Sequence, residues 1–460
     1  MKIPLEAISS ASLENLLLYT VFLGVLLLIA SLIRLKVPFL KNWYIPASLI
    51  AGIFGLILGP FCLKVVPKEI MSSWSSLSGV LMTIVLAPAM MGAARGKSGT
   101  GTFKKAVNAA CFTYSVTGMQ FAIPLLLTLV LFTPGFGVNE LFAGTFEAGW
   151  AGGHGVAAAL TPVFDQLGWG EAGTSLCLVN ATVGLLVGLI GGIILINVGV
   201  RKGWTKNISA SAQMKNENVE LYSADEAPVD TKEVISSGVI DNMSFHAAVL
   251  SVVLLLGWIA SKALALINVS LPWFCTSVLV GFFVQKFILN KTTWGQALDP
   301  KVYSRIQGLA LEFVVAGGVA SINLSVVMEY ALPLLITSVA LTAFMIFYVV
   351  WLAPKILGKY WFETAMILYG AFCGVMATGL VLLKTCDPEM KSDAAEVYAA
   401  RLIFTGFATG GGIITCTMPL WQAQLGGWAT LAIFVGLMLI AGALPFILGF
   451  NKVDKDAAAA

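Results

Sequence analysis

Phe146-Glu147-Ala148-Gly149-Trp150-Ala151-Gly152-Gly153-His154-Gly155 is a polar, glycine-rich interruption in a chain otherwise apolar enough to enter a bilayer. Glycine costs about 1 kcal/mol relative to alanine inside a helix. Backbone groups left unpaired in hydrocarbon cost several kcal/mol more. Irregular backbone at membrane depth therefore persists only where protein covers it or where it lines a wet cavity. In membrane carriers such breaks hold substrate and ions. The stretch predicts an all-α integral membrane protein with a solute-handling site at mid-depth.

Composition agrees. The chain has 460 residues, 58% hydrophobic and 11% charged, with a mean hydropathy of +0.89. Soluble domains carry about 25% charged residues, so a water-soluble fold of this size is excluded. The net charge is only +3, with basic residues scattered through short loops, which gives no support to nucleic-acid binding. Cys62, Cys111, Cys177, Cys275, Cys373, Cys386 and Cys416 mostly sit in apolar runs without paired spacing. They read as packing residues, not a disulfide or metal framework. Met1–Glu14 lacks the basic region and cleavage site of a removable signal peptide.

A spanning helix needs about 20 apolar residues. In the first half the candidates are Leu16–Ile33, Tyr44–Val66, Leu77–Ala94, Ala106–Phe132 and Thr174–Val200. Between the last two lies Asn139–Gly168, with the glycine break and Pro162. With the N-terminus outside, Arg34, Lys36, Lys41, Arg95, Lys97, Lys104 and Lys105 fall inside. Arg201 and Lys202 join them only if Asn139–Gly168 does not cross, so the positive-inside rule favours a re-entrant hairpin opening from outside. The polar stretch with Asp225, Glu226, Asp230 and Lys232 reads as a flexible cytoplasmic linker.

The second half repeats the pattern in the opposite sense: His246–Ile267, Pro272–Leu289, Ile306–Val327, Ala331–Ala353, a broken segment Trp361–Lys391, then Val397–Leu420. A final span, Ala429–Gly449, has no partner and leaves the C-terminus inside. Pro46 matches Pro272, Gly155 matches Gly379, and Gly191-Gly192-Ile193-Ile194 matches Gly411-Gly412-Ile413-Ile414, at offsets of 226, 224 and 220 residues. A nearly constant offset between interrupted segments points to inverted-topology repeats. The expected organisation is an N-terminal membrane repeat over 1–201, a cytoplasmic linker over 202–244, an inverted repeat over 245–425, and an extra helix with a tail over 426–460.

At Gly152-Gly153-His154-Gly155, followed by Ala157-Ala158-Ala159, the chain resembles the bacterial sodium/glutamate symporters. The second half adds Arg305-Ile306-Gln307-Gly308-Leu309-Ala310-Leu311, Ala316, Ser321, Gly358-Lys359-Tyr360, Cys373-Gly374 and Ala377-Thr378. The resemblance covers nearly everything outside the linker and last span. It implies two inverted repeats of five helices plus a hairpin, a homodimer in the cell inner membrane, and sodium-driven uptake of glutamate by an elevator-like movement. It implies Na+ as coupling ion and no organic cofactor. Where the family usually carries a glycine-rich run ending Gly-Ala-Thr-Pro, this chain reads Val375-Met376-Ala377-Thr378-Gly379, which leaves the substrate open between glutamate and a related small organic anion.

The residues themselves allow alternatives. Gly152, Gly153 and Gly155 let a ligand approach bare backbone, or pack helices tightly. His154 donates to a substrate carboxylate or moves a proton, or else satisfies the hairpin backbone. Arg401 clamps a carboxylate, or anchors the inner surface. Asn180, Thr182, Thr378, Thr405 and Thr409 offer oxygens to sodium or substrate beside Gly379, or serve helix packing. Glu147 is a candidate ion ligand or a residue of the outer mouth, and Glu312 a candidate cavity carboxylate. Sodium-coupled uptake leads, with a proton-coupled carrier and then a channel as alternatives. The absence of HExxH, GxSxG and GxxxxGKS/T motifs argues against an enzyme.

Overall fold

The computed structural model describes residues 8–38, 40, 45–91, 100–206, 233–266, 273–293, 295, 298–387 and 391–452. Among them every regular element is helical. Pro272, Arg95, Lys97 and most of the linker lie outside the described residues. Six helical runs there are long and apolar enough to cross a membrane: Ser10–Lys36, Phe103–Phe136, Gly170–Arg201, Asn242–Ala265, Ala331–Ile356 and Gly427–Ile447. Many large apolar side chains on them face outward, among them Leu17, Leu28, Val130, Ile194, Leu255, Val339 and Ile440. A surface of that kind suits lipid.

Helix α1 (Ser10–Lys36) starts where the Ser9 side chain accepts from Ser12 N–H and ends with Arg34 and Lys36 in its last turn, as the helix dipole favours. Helix α2 (Ala47–Leu58) begins after Pro46 and stops at Gly59, short of the expected Val66. Helix α3 (Lys68–Leu86) begins nine residues before the expected Leu77. Its serines look like loop by composition. They stay helical because Ser73, Ser76 and Ser78 donate to Glu69, Ser72 and Trp74 carbonyls one turn back, which satisfies each hydroxyl within the helix. Helix α4 (Thr100–Leu127) runs on through a wide turn at Thr128–Phe132 to Phe136. Pro124, which has no N–H to donate, lies just before that turn.

The glycine-rich stretch forms three short helices, α5 (Gly144–Trp150), α6 (Gly153–Ala159) and α7 (Thr161–Gln166). They do not form one rod. Phe142 before them and Trp169 after them both stack near Tyr330, at ring distances of 5.7 and 6.2 Å. A straight run of this length would carry its ends about 35 Å apart, so the segment turns back on itself. Helix α8 (Gly170–Leu186) then passes through a wide turn at Val187–Gly191 into α9 (Gly192–Arg201).

The second half opens with α10 (Asn242–Ala265), capped by Asp241, whose carboxylate accepts from Ser244 N–H. Next come α11 (Trp273–Phe287), α12 (Pro300–Ala320) and α13 (Ala331–Trp351). Helix α12 starts and stops six or seven residues before the expected Ile306–Val327. Asp299 caps it and Pro300 fits its first turn, as the N-terminal preference of proline dictates. Glu312 is exposed on it.

Helix α14 (Trp361–Cys386) corrects the expectation of an unwound break. Its hydrogen bonding is helical throughout, yet a β-carbon on Gly370 would lie 2.6 Å from the Gly379 Cα. Along a straight helix that pair would be about 13 Å apart. Helix α14 is therefore a second hairpin, turning between two glycines that let its arms touch. The expected span Val397–Leu420 is corrected in the other direction. It is two helices, α15 (Ala394–Thr405) and α16 (Ile413–Leu425), separated by non-helical Gly406–Gly412. Gly410 and Gly411 take φ of +60° and +103°, values that side chains resist. Helix α17 (Gly427–Ile447) lies against α4, where Gly118 meets the backbone at Phe434 and Met438.

Two groups of helices result. Helices α1, α2, α3, α10, α11 and α12 pack on one another, and the hairpins, α4, α8, α9, α13 and α15 to α17 form the second group. The groups meet where α6 lies on α3 and α12, with Ala158 against Gly79 and Gly318.

Candidate functional site

Both hairpins converge on Gly184. A β-carbon there would collide with the Cys373 carbonyl of the second hairpin and lie 2.9 Å from the Trp150 ring of the first. Gly184 sits near the middle of the Gly170–Arg201 run, which is about 48 Å long. Gly184, Gly191 and Gly199 meet Cys373, Tyr369 and Phe362 in turn, so this run follows the second hairpin from tip to mouth. That mouth closes on Trp204, 5.6 and 5.8 Å from Trp361 and Phe362, and Lys206 N–H donates to Glu363 Oε1 at 2.7 Å. The first hairpin has its mouth at Trp169. The two hairpins thus open at opposite ends of one long helical run and touch tips at its centre.

The tip of the first hairpin also faces the non-helical stretch of the second half. Gly410 lies against the Ala151 carbonyl and Gly411 against Val156. Glu147, fully buried, accepts through Oε1 from Gly410 N–H at 3.0 Å and from the Thr415 hydroxyl at 3.1 Å. Its other oxygen, Oε2, has no partner among the described residues. Glu147 is therefore a residue of the deep site and not of the outer mouth.

Arg401 lies at the other end of the same stretch. It is buried, not an inner-surface anchor. Its Nη1 donates to Thr113 and Thr405 hydroxyls at 3.0 and 3.2 Å, and its guanidinium stacks on Tyr398 and Phe372 at 4.3 and 5.7 Å. Nε has no partner. Among the described residues neither Arg401 nor Glu147 makes an ion pair. Leaving one buried charge uncompensated costs several kcal/mol, and here two buried ionisable groups, one acidic and one basic, flank one seven-residue stretch.

The other expected residues divide between this site and packing. Gly152, Gly153, His154 and Gly155 form the buried tip. His154 Nε2 is 2.9 Å from the Thr182 hydroxyl, which donates onward to Leu178 O, so the imidazole ties the tip to α8. Asn180 donates to Thr145 at 2.9 Å and keeps a free Oδ1. Thr405 and Thr409 lie on the Arg401 side of the break, with Thr409 donating to Thr405 O. Thr378 and Gly379 are not brought to the first hairpin. The Thr378 hydroxyl donates to Gly374 O within the second hairpin, and Gly379 is the contact between its arms. His246 is structural, bonded to Asn242 O and Asp299 N–H. The thiols of Cys111, Cys177, Cys373, Cys386 and Cys416 are buried, whereas Cys62 is exposed.

Sequence reasoning missed Thr113, Gln120 and Thr415. Gln120 is buried, donates to Phe372 O at 2.9 Å, and its Oε1 has no partner among the described residues. A signal existed, since Thr113, Thr117 and Gln120 recur at i, i+4 and i+7 and line one face of a helix. Thr415 carried none. A cavity of about 270 Å³ lies beside the first hairpin's mouth, lined by Ser72, Ser75, Thr161, Thr174, Ser175 and Asn323 among others.

Comparison with known families decides the kinship, because the model of the sodium/glutamate symporters matches residues 13–380. The chain belongs to the sodium/glutamate symporter family. A solved sodium proton antiporter from Methanocaldococcus jannaschii, at pH 8, is 15% identical, with 94% of this chain and 98% of that one covered and a TM-score of 0.42. The curated proteins contain no match. The protein is thus a multi-pass helical membrane protein of a transport family, and its matched region includes both hairpins up to Leu380.

Proposed function

We propose that this symporter imports glutamate or a related small organic anion together with sodium, by an elevator-like movement, as a homodimer in the cell inner membrane. The observation that carries the reading is Arg401, a buried guanidinium without a carboxylate partner among the described residues, placed where a hairpin and a non-helical stretch meet. An incoming carboxylate supplies the missing negative charge and pairs with the planar fork. The free Gln120 Oε1 and the half-buried Thr409 and Gly410 are available to the rest of the substrate. Gly152, Gly153, His154 and Gly155 close the site from the other hairpin, and Asn180 and Thr405 add oxygens.

Opposed hairpin mouths support inverted repeats over 1–201 and 245–425, with 202–244 as a cytoplasmic linker and 426–460 added. Lys202 and Lys206 beside the second mouth favour that face as cytoplasmic, which puts the first mouth and its cavity outside. The helix group holding both hairpins is the moving part, and the small-residue seam at Gly79, Ala158 and Gly318 lets it slide. No covalent chemistry is required.

The test is uptake into proteoliposomes. Saturable glutamate accumulation that stops when the sodium gradient is collapsed is the expected result. Arg401→Lys should raise the half-saturating substrate concentration tens- to hundredfold, about 2–3 kcal/mol, because an ammonium cannot reproduce the fork. Accumulation driven by a proton gradient alone, or non-saturable flux, would replace this reading with a proton-coupled carrier or a channel.

A further inference from the structure

We infer that Glu147 holds the coupling cation, and that the same carboxylate transmits its occupancy to the substrate side through Gly410. This rests on the symport reading. The carboxylate has two oxygens with different duties. Oε1 is committed to the second half, through Gly410 N–H and the Thr415 hydroxyl. Oε2 is buried with nothing bonded to it among the described residues. An anionic oxygen in that position lacks a counter-charge, and no Lys, Arg or His ion-pairs with it among those residues. A small cation satisfies it. The chemistry accepts a sodium ion or a proton, and the experiment separates them.

Gly410 is one residue beyond Thr409, which bonds to Thr405, and Thr405 bonds to Arg401. A change in the charge on Glu147 therefore acts directly on the stretch that leads back to Arg401, whose guanidinium binds the substrate carboxylate in the symport reading. Linkage makes the effect mutual, so a cation that tightens substrate binding is itself tightened by substrate. The titratable side chain facing Glu147 from α8 is Cys177. From α16 and the non-helical stretch it meets a hydroxyl and an amide.

Glutamate binding to purified protein in detergent is measured across sodium concentration at fixed pH, and across pH with choline replacing sodium. In wild type we expect the effective cation to tighten binding about tenfold or more. Glu147→Gln keeps an oxygen for Gly410 and Thr415 but removes the charge, and it should flatten that dependence, with cation-free affinity moving toward that of the cation-bound wild type. Glu147→Asp retains the charge and should retain the dependence at a higher cation concentration, which keeps the test intact if the glutamine variant misfolds. Dependence on sodium assigns the site to sodium, and dependence on pH alone assigns it to the proton. Unchanged cation dependence in Glu147→Gln, or its loss in Glu147→Asp as fully as in the glutamine variant, overturns the inference. Wild-type protein that binds no glutamate overturns the symport reading instead.

Discussion

Gly153 has a φ of +72°, and that angle changes why a substitution there should fail. From the sequence, the motive for glycine is close approach of a ligand. In the structure, the left-handed backbone alone is enough to require it. Asparagine tolerates this region and valine does not. Gly153→Asn should therefore be closer to wild type than Gly153→Val in both melting temperature and uptake. If asparagine abolishes uptake in a protein as stable as wild type, the position is reserved for ligand. Thr378 is the converse case. Its hydroxyl is spent on Gly374 O, so Thr378→Val should cost about 1 kcal/mol of stability and leave the half-saturating sodium concentration unchanged. A sodium shift without a stability loss would return Thr378 to the site. The sequence made both residues conspicuous, because hydroxyls and glycines stand out in apolar surroundings. It left their roles undecided, because a hydroxyl's partner is set by the fold.

At the scale of elements, the spacing of interruptions was legible and their form was not. Gly191-Gly192 and Gly411-Gly412, matched by offset alone, adjoin distorted backbone in both halves: a wide helical turn in one and a non-helical stretch in the other. The second hairpin was expected as a break. It instead keeps helical hydrogen bonding while its arms fold together at Gly370 and Gly379. No hydropathy window detects this, since the residues are as apolar as those of a straight span. Spin labels at Lys359 and Lys391 give a direct measure. Along an unbroken helix these positions would stand about 48 Å apart. The folded hairpin predicts a separation less than half of that, and a long distance would mean that α14 spans as one rod. Gly379→Val should remove the short distance by forcing the arms apart, since a β-carbon there collides with the Ile367 carbonyl.

The whole molecule joins two groups of helices along a narrow seam, and it holds two hairpins that enter from opposite ends. If the seam slides, a bulky side chain should stop transport without removing the site. Gly318, where a β-carbon already lies 3.0 Å from Leu178 and 3.8 Å from Ala158, is the position to enlarge. Gly318→Leu should slow uptake about tenfold or more, a barrier increase of roughly 1.4 kcal/mol, with equilibrium glutamate binding retained. Loss of binding as well would make the seam part of the site. The opposed mouths carry the topological consequence. Asn139 and Gly168 bracket the first hairpin, and Lys359 and Lys391 bracket the second. In a cysteine-free background, an impermeant maleimide should label cysteines at the first pair from one face of the membrane and at the second pair from the other. In the proposed orientation, with Lys202 and Lys206 beside the second mouth on the cytoplasmic face, the first pair should react in intact cells and the second only in inverted vesicles. Labelling of Asn139 and Gly168 from opposite faces would make the first segment a full crossing. The contact of both its flanks with Tyr330 could not then coexist with the membrane, and the inverted pairing of the two halves would fall with it.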